Sequence, residues 1–313
     1  MSQRQSISEL IDNEYTQADK KQEFENLVRI REFASRELLL PDNKSYTSYV
    51  ELDREYVTWV VFAAEQLSLQ PKLWCFWVVG CVPYRGYFSH DKALAFSSQL
   101  KQQGLEVHIA PVPAYSTLGW FIDPVLSSML GRGEIVTAEY IFHELAHQQV
   151  YIKNDSSFNE AFATAVGQVG VTRWLTHENQ SESLENYLQS KRNKQEIYKL
   201  IDELRRELLT IYQSSMDHDD KQKQKAQAFS RYQQEMSDKL RAWNKYQQYK
   251  SWLLDDMNNA KLNAYATYQA LVPKFIDLYQ RCGQRLDQFY DAVDRMRPLE
   301  KQQRVDRLNN QQC

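Results

Sequence analysis

His143-Glu144-Leu145-Ala146-His147 places two imidazoles four residues apart, with a carboxylate beside the first. Positions four apart share one face of a helix, so both rings can aim at a single ion. Glu144 is rotated by about 100° from His143 and reaches a water rather than the ion. A zinc hydrolase needs that division: two neutral nitrogen ligands, and a carboxylate that takes the water's proton. Ile141, Phe142, Leu145 and Ala146 make the helix largely apolar. Buried there without a metal, the two imidazoles need other hydrogen-bonding partners.

A third ligand has several candidates. The metzincin pattern continues to a glycine and a third histidine, but Val150 and Lys153 stand at those positions and exclude it. Asn159-Glu160, twelve and thirteen residues after His147, fits the gluzincin manner of supplying a glutamate from the next helix. The competing reading is a capping box, Ser157-x-x-Glu160, in which Glu160 bonds the backbone N–H of Ser157. Asp155, His177 and Glu134 are further donors, with Asp155 read as a turn or N-cap residue. Thr164, one turn beyond Glu160 on the same face, and Asn159 are expected to buttress the site without touching the ion.

Substrate contacts are sought nearby. Tyr115, Ser116, Thr117 and Gly119 lie in YSTLGWF, read either as an edge that pairs with substrate backbone or as a buried loop. Arg85 at the PYRGYF turn is an oxyanion or carboxylate partner, or a structural arginine. Tyr265 and Tyr268, beside Asn258 and Asn259, are oxyanion donors if their helical region covers the cleft; otherwise they pack between helices.

The elements that carry these residues follow from pattern. Phe24, Leu27, Val28 and Arg31 share a helical face that ends at Pro41-Asp42-Asn43, and VTWVVFAA, LWCFWVVGCV and PYRGYF carry strand character. A helix over 90–103 ends at Gly104, and LEVHIAPV returns to strand. Helices are expected over 138–152 and 157–175. Beyond Glu178 the composition turns to Gln, Lys, Glu, Asp and Tyr with long helical periodicity through Leu200, Leu204, Leu208 and Tyr212, interrupted by MDHDDKQKQKAQAF as a solvated connection or a helix extension. Residues 258–296 read as helical again, with Leu271, Phe275, Leu278 and Tyr279 inward, and the last dozen residues as frayed. The expected class is α+β: a core over 1–178 with a small mixed sheet, then a helical region over 179–313 packed on or capping it.

The chain of 313 residues has 38 basic and 41 acidic side chains. That balance gives no electrostatic case for nucleic acid. No run is long enough to span a bilayer, and MSQRQSISEL has no apolar signal segment. Four cysteines are too few for a disulfide scaffold. Cys75 and Cys81 are close enough for a bridge across a hairpin, or stay as two thiols.

GCVPYRGYF (80–88), PAYSTLGWFIDPVLSSML (113–130), FHELAHQ (142–148), FNEAFAT (158–164) and NNAKL (258–262) together resemble the bacterial putative aminopeptidase family with an HExxH zinc motif, over about residues 30–290. Trp77 and Ile122 depart from its usual proline and acidic residue. The resemblance implies a zincin-like core and one Zn²⁺ held by His143, His147 and Glu160, with Glu144 as general base and a peptide or protein as substrate. It also implies a periplasmic or lipid-anchored location; a cytoplasmic one is expected otherwise. An endopeptidase acting on a protein partner and a non-catalytic zinc-stabilised module are the alternatives.

Overall fold

The computed structural model describes residues 4–77, 80–113, 117, 120–310 and 313, with Trp252 described by its backbone alone. The protein is α+β, mostly helical, with small sheets and a mainly helical C-terminal region. Its first part holds β1 (Gln5–Ser6), α1 (Ile7–Asp12), α2 (Ala18–Arg36), β2 (Ser48–Val50), β3 (Thr58–Ala64), β4 (Trp74–Phe76), β5 (Gly80–Val82) and β6 (Tyr84–Tyr87). Then come α3 (His90–Gln102), β7 (Glu106–Val112), β8 (Val125–Leu126), a 3-10 turn (Ser127–Met129), α4 (Glu134–Gln149) and α5 (Ser156–His177). The remainder is helical: α6 (Ser181–Gln213), α7 (His218–Ala242), α8 (Tyr246–Leu253), α9 (Asn259–Gln269), α10 (Val272–Arg281), α11 (Leu286–Asp294) and α12 (Lys301–Asn310). No helix among the described residues is long and apolar enough to cross a membrane.

Two compact units divide the chain: 1–58, 111–186 and 271–313 form one, 59–110 and 187–270 the other. The crossings at 58–59, 110–111 and 270–271 have no compositional mark.

In the first unit, β2 pairs antiparallel with β1 and parallel with β8. Its core is the antiparallel pair α4 and α5, backed by α2 and α10. Helix α5 is apolar on nearly every side, as a helix enclosed by others must be. Phe158 and Phe162 meet Phe275, while Phe33 packs on Phe142 and Trp174. Two glycines let α4 and α5 approach. A Cβ at Gly167 would lie 3.2 Å from the Glu139 carbonyl, and one at Gly170 only 2.5 Å from the Phe142 ring.

In the second unit the sheet order is β6-β3-β7, and the hairpin β4–β5 sets Cys75 opposite Cys81, bridged by a disulfide. Leu200, Leu204, Leu208 and Ile211 pack with Met236, Leu240, Leu253 and Leu262 in its helical core. The NNAKL block is a staple here. Asn258 caps α9 and donates to the Val107 carbonyl, Asn259 donates to the carbonyls of Glu65 and Gln66, and the Asn259 amide is held by Glu106.

Several expectations need correcting. Residues 302–310 are helical in α12, where Leu308 and Arg304 are buried. Residues 258–296 form three helices, broken at Leu271 and after Arg281. The 216–229 stretch follows the break between α6 and α7: Asp217 accepts from the Asp220 amide and caps α7, and the stretch continues as helix. Val28 faces outward.

The close approach of α4 and α5 predicts that Gly170→Ala lowers unfolding stability by about 1–3 kcal/mol, although alanine favours helix over glycine by about 1 kcal/mol. Urea unfolding reads this directly, and an unchanged or raised midpoint contradicts it.

Candidate metal centre

Helix α4 begins after Gly133, whose φ of 89° suits glycine and turns the chain into the helix. It carries Glu139, Phe142 and Leu145 toward neighbours and sets His143 and His147 one turn apart. The chain leaves α4 at Val150 and enters α5 within a few residues. That turn is fixed from inside by Asn159. Its Oδ1 accepts from the Ile152 amide at 2.8 Å, and its Nδ2 donates to the Ile152 carbonyl at 2.7 Å. Asp155, also buried, is the N-cap of α5 and accepts from the Phe158 amide; it is paired with Arg304 at 2.8 Å. Arg297 adds bonds to the carbonyls of Gln149 and Tyr151.

This settles the competing reading of Glu160. A capping box needs the helix to begin on Ser157, but the cap is Asp155 and Ser157 already lies within α5. The Glu160 carboxylate turns instead toward the histidines, with Oε2 at 3.4 Å from His143 Nε2 and 3.6 Å from His147 Nε2. The two Nε2 atoms are themselves 3.1 Å apart, on rings set nearly at right angles. Four ligands at zinc distances on a tetrahedral ion lie about 3.3–3.4 Å from one another. Three of those positions are present here.

The surroundings also fit a cation. His143 Nδ1 lies 3.5 Å from Thr164 Oγ1, and donation from Nδ1–H to that hydroxyl leaves the Nε2 lone pair facing the cluster. His147 Nδ1 is buried without a hydrogen-bond partner among the described residues, so this ring's polar company lies on its Nε2 side. Burial pushes the Glu160 carboxyl up, but the fields and hydrogen bonds of His147 and His143 outweigh it and hold the carboxyl at about 2. Burial alone would lower His147; Glu160, and then Glu144, reverse this and leave it raised. Both shifts say the same thing: the point between these atoms favours positive charge. Glu144 is enclosed, and burial raises its pKa against the pull of the two imidazoles, with Glu160 and Asp123 adding to the rise.

The remaining expected residues fall in several places. Glu134 accepts from the Trp174 indole and pairs with Arg29. His177 is exposed at the far end of α5, seventeen residues from Glu160, or about 25 Å at 1.5 Å per residue, and packs on Phe33. It cannot serve the centre. Arg85 lies over the rings of Tyr87 and Phe96 in the second unit. Tyr265 is buried in that unit's helical core near Tyr198, and Tyr268 is half-buried on the same helix. Tyr115, Ser116 and Gly119 lie outside the described residues. Thr117 donates its amide to Asp123 Oδ2 at 2.9 Å.

Asp123 is the neighbour that motif reading missed. One signal did mark it: it is the only charge between Glu106 and Arg132. Cys282 pairs with Cys313, so all four cysteines are bridged.

A family model described as "Putative aminopeptidase" matches residues 1–308, and the chain belongs to that family. No curated protein and no solved structure matches the chain.

Removing the Asn159 side chain leaves two buried backbone groups of Ile152 without partners. Asn159→Ala is therefore expected to lower stability by about 2–4 kcal/mol, measured by urea unfolding. A loss below half a kcal/mol, as for an exposed side chain, contradicts the clamp.

Proposed function

We propose that this member of the putative aminopeptidase family is a zinc-dependent peptidase with a zincin-like core, in which His143, His147 and Glu160 hold one Zn²⁺ and Glu144 is the general base. The observation that carries this reading is the convergence of two imidazole nitrogens and one ionised carboxylate oxygen at tetrahedral-ligand spacing. Two nitrogens and one oxygen are the donors of the His₂Glu catalytic zinc set, which keeps a position open. Such an ion, when bound, supplies Lewis-acid activation of water and of the scissile carbonyl.

The chain's own residues do the rest. Glu144 is next to His143 in sequence and carries a carboxylate whose proton affinity is raised by burial. A carboxylate in this position can take a proton from water and return it to the leaving amine. Thr164 Oγ1 lies beside His143 Nδ1, and Asn159 fixes the start of α5, so Glu160 needs no rearrangement to reach the histidines. The family's description favours release of N-terminal residues over internal cuts.

Glu144→Gln is expected to lower peptide hydrolysis by about 10²- to 10⁴-fold while metal content stays at one ion per chain. Glu160→Ala is expected to lose the metal during dialysis against a zinc chelator under conditions where the parent protein keeps it. Full activity in the first variant sinks the base assignment, and unchanged metal content in the second sinks the ligand assignment. A protein that holds zinc and cuts no peptide in a mixed library favours a non-catalytic zinc module instead; internal cuts in a denatured protein without release of N-terminal residues favour an endopeptidase.

The proposed location is outside the reducing cytosol, which the pairing of all four cysteines supports. Alkylation of the protein in freshly lysed cells, followed by mass measurement, is expected to find no free thiol. Four modified thiols overturn the assignment.

A further inference from the structure

Thr117 and residues 120–123 are held together by hydrogen bonds among their polar groups. Thr117 Oγ1 accepts from the Phe121 amide at 3.1 Å and lies 3.2 Å from the Phe121 carbonyl, and the Trp120 amide donates to the Thr117 carbonyl. Asp123, buried at the base, accepts from the Thr117 amide. With its backbone so occupied, the turn pushes three consecutive apolar side chains outward: Trp120 and Phe121 are each 74% exposed and Ile122 47%. Exposed apolar side chains scattered singly are ordinary, but three in a row at the tip of a braced turn are not.

The turn is fastened to the helix that carries the histidines. The Asp123 amide donates to Ser45 Oγ at 3.3 Å, and the same oxygen accepts from Gln148 Nε2, the residue after His147. The Tyr46 amide donates to the Asp123 carbonyl, while Arg31 holds the Ser45 carbonyl from below. The Trp120–Ile122 stretch is therefore tied, through Asp123, Ser45 and Gln148, to the helix that carries the proposed base.

We infer that Trp120, Phe121 and Ile122 form a subsite for apolar side chains of the peptide substrate, so that the enzyme prefers bulky aliphatic or aromatic residues next to the cleaved bond. The inference rests on the peptidase reading given above. A lipid surface would be the other apolar partner for such a tip, but Asp123 is the only charge from residue 107 to residue 131. The turn thus brings no basic residue for anionic headgroups, as interfacial segments usually do. An uncharged peptide side chain asks for none.

The test uses the full zinc-loaded protein and the double variant Trp120→Ser/Phe121→Ser. Both are assayed on matched peptides carrying Leu, Phe, Ser or Glu at the residues flanking the cut. In the parent protein kcat/KM is expected to favour Leu and Phe over Ser. In the variant that ratio is expected to fall about tenfold, the scale of a lost apolar side-chain contact, chiefly through KM. Metal content and circular dichroism show whether the variant stays folded and loaded, and the milder Trp120→Leu is expected to keep most of the preference. Cleavage with the same side-chain ratios in parent and variant overturns the subsite while leaving the peptidase reading intact. Co-sedimentation with neutral phosphatidylcholine vesicles that the variant loses, alongside unchanged peptide ratios, reassigns the tip to membrane contact. A parent protein that cuts none of these peptides removes the reading beneath the inference, and the inference with it.

Discussion

Two imidazole nitrogens and a carboxylate oxygen all lie within 3.6 Å of one another because α4 and α5 pack at glycine distance. Left to themselves the groups would separate and hydrate, since enclosing a carboxylate without compensation costs several kcal/mol. The helix pair removes that option. Gly167 lies against the backbone of α4 beside Glu139 and His143, and Gly170 admits Phe142 and Leu38. Any side chain there would move α5 outward and carry Glu160 away from both rings. The donor geometry is thus a consequence of backbone proximity one to three turns further along the same interface.

Proximity alone does not set which residue of α5 faces α4; the start of the helix does. Asp155 caps it, Asn159 ties it to Ile152, and Arg304 neutralises the buried Asp155 from α12 at the other end of the chain. These contacts fix the rotation of α5 about its axis, which places Glu160 and Thr164 on the inward face together. Electrostatics then follows from position. Glu160 is held ionised and His147 has a raised proton affinity because each lies in the other's field. His143, His147 and Glu160 thus form a group that could hold a metal ion, with two nitrogen donors and one oxygen donor.

The parts of this that could be read from sequence are those with short periods. His143, Glu144 and His147 declare themselves by a four-residue spacing, and the strands 58–64 and 106–112 by β-branched and aromatic content. Glu160 was ambiguous for a local reason: the same residues satisfy a capping box, and only the two-residue difference between a cap at Asp155 and one at Ser157 decides. What stayed hidden depends on contacts across long separations. Arg304 meets Asp155 149 residues away, and this is why a C-terminal segment of polar composition is an ordered helix rather than a frayed end. NNAKL could pass for chemistry in sequence because asparagines serve equally in caps, staples and active sites. Its partners, the carbonyls of Glu65, Gln66 and Val107, are backbone atoms that no composition reveals.

Ser45 joins the turn at Asp123 to α4. Its hydroxyl joins the Asp123 amide to Gln148, so the turn bearing Trp120 to Ile122 is fastened to α4 by its polar base, while its apolar tip takes no part in that fastening. The donors, in contrast, are set by α4 and α5 with no contribution from the tip. Among the described residues, the tip makes none of the contacts that set the spacing of His143, His147 and Glu160. Substitutions at Ser45 or Asp123 would act on both, because they loosen the joint through which the turn is registered against the helix. A buried aspartate spent on backbone amides, beside a glutamate proposed as base, is costly for folding alone. It is explained if the turn must be held at a fixed distance from the reacting bond.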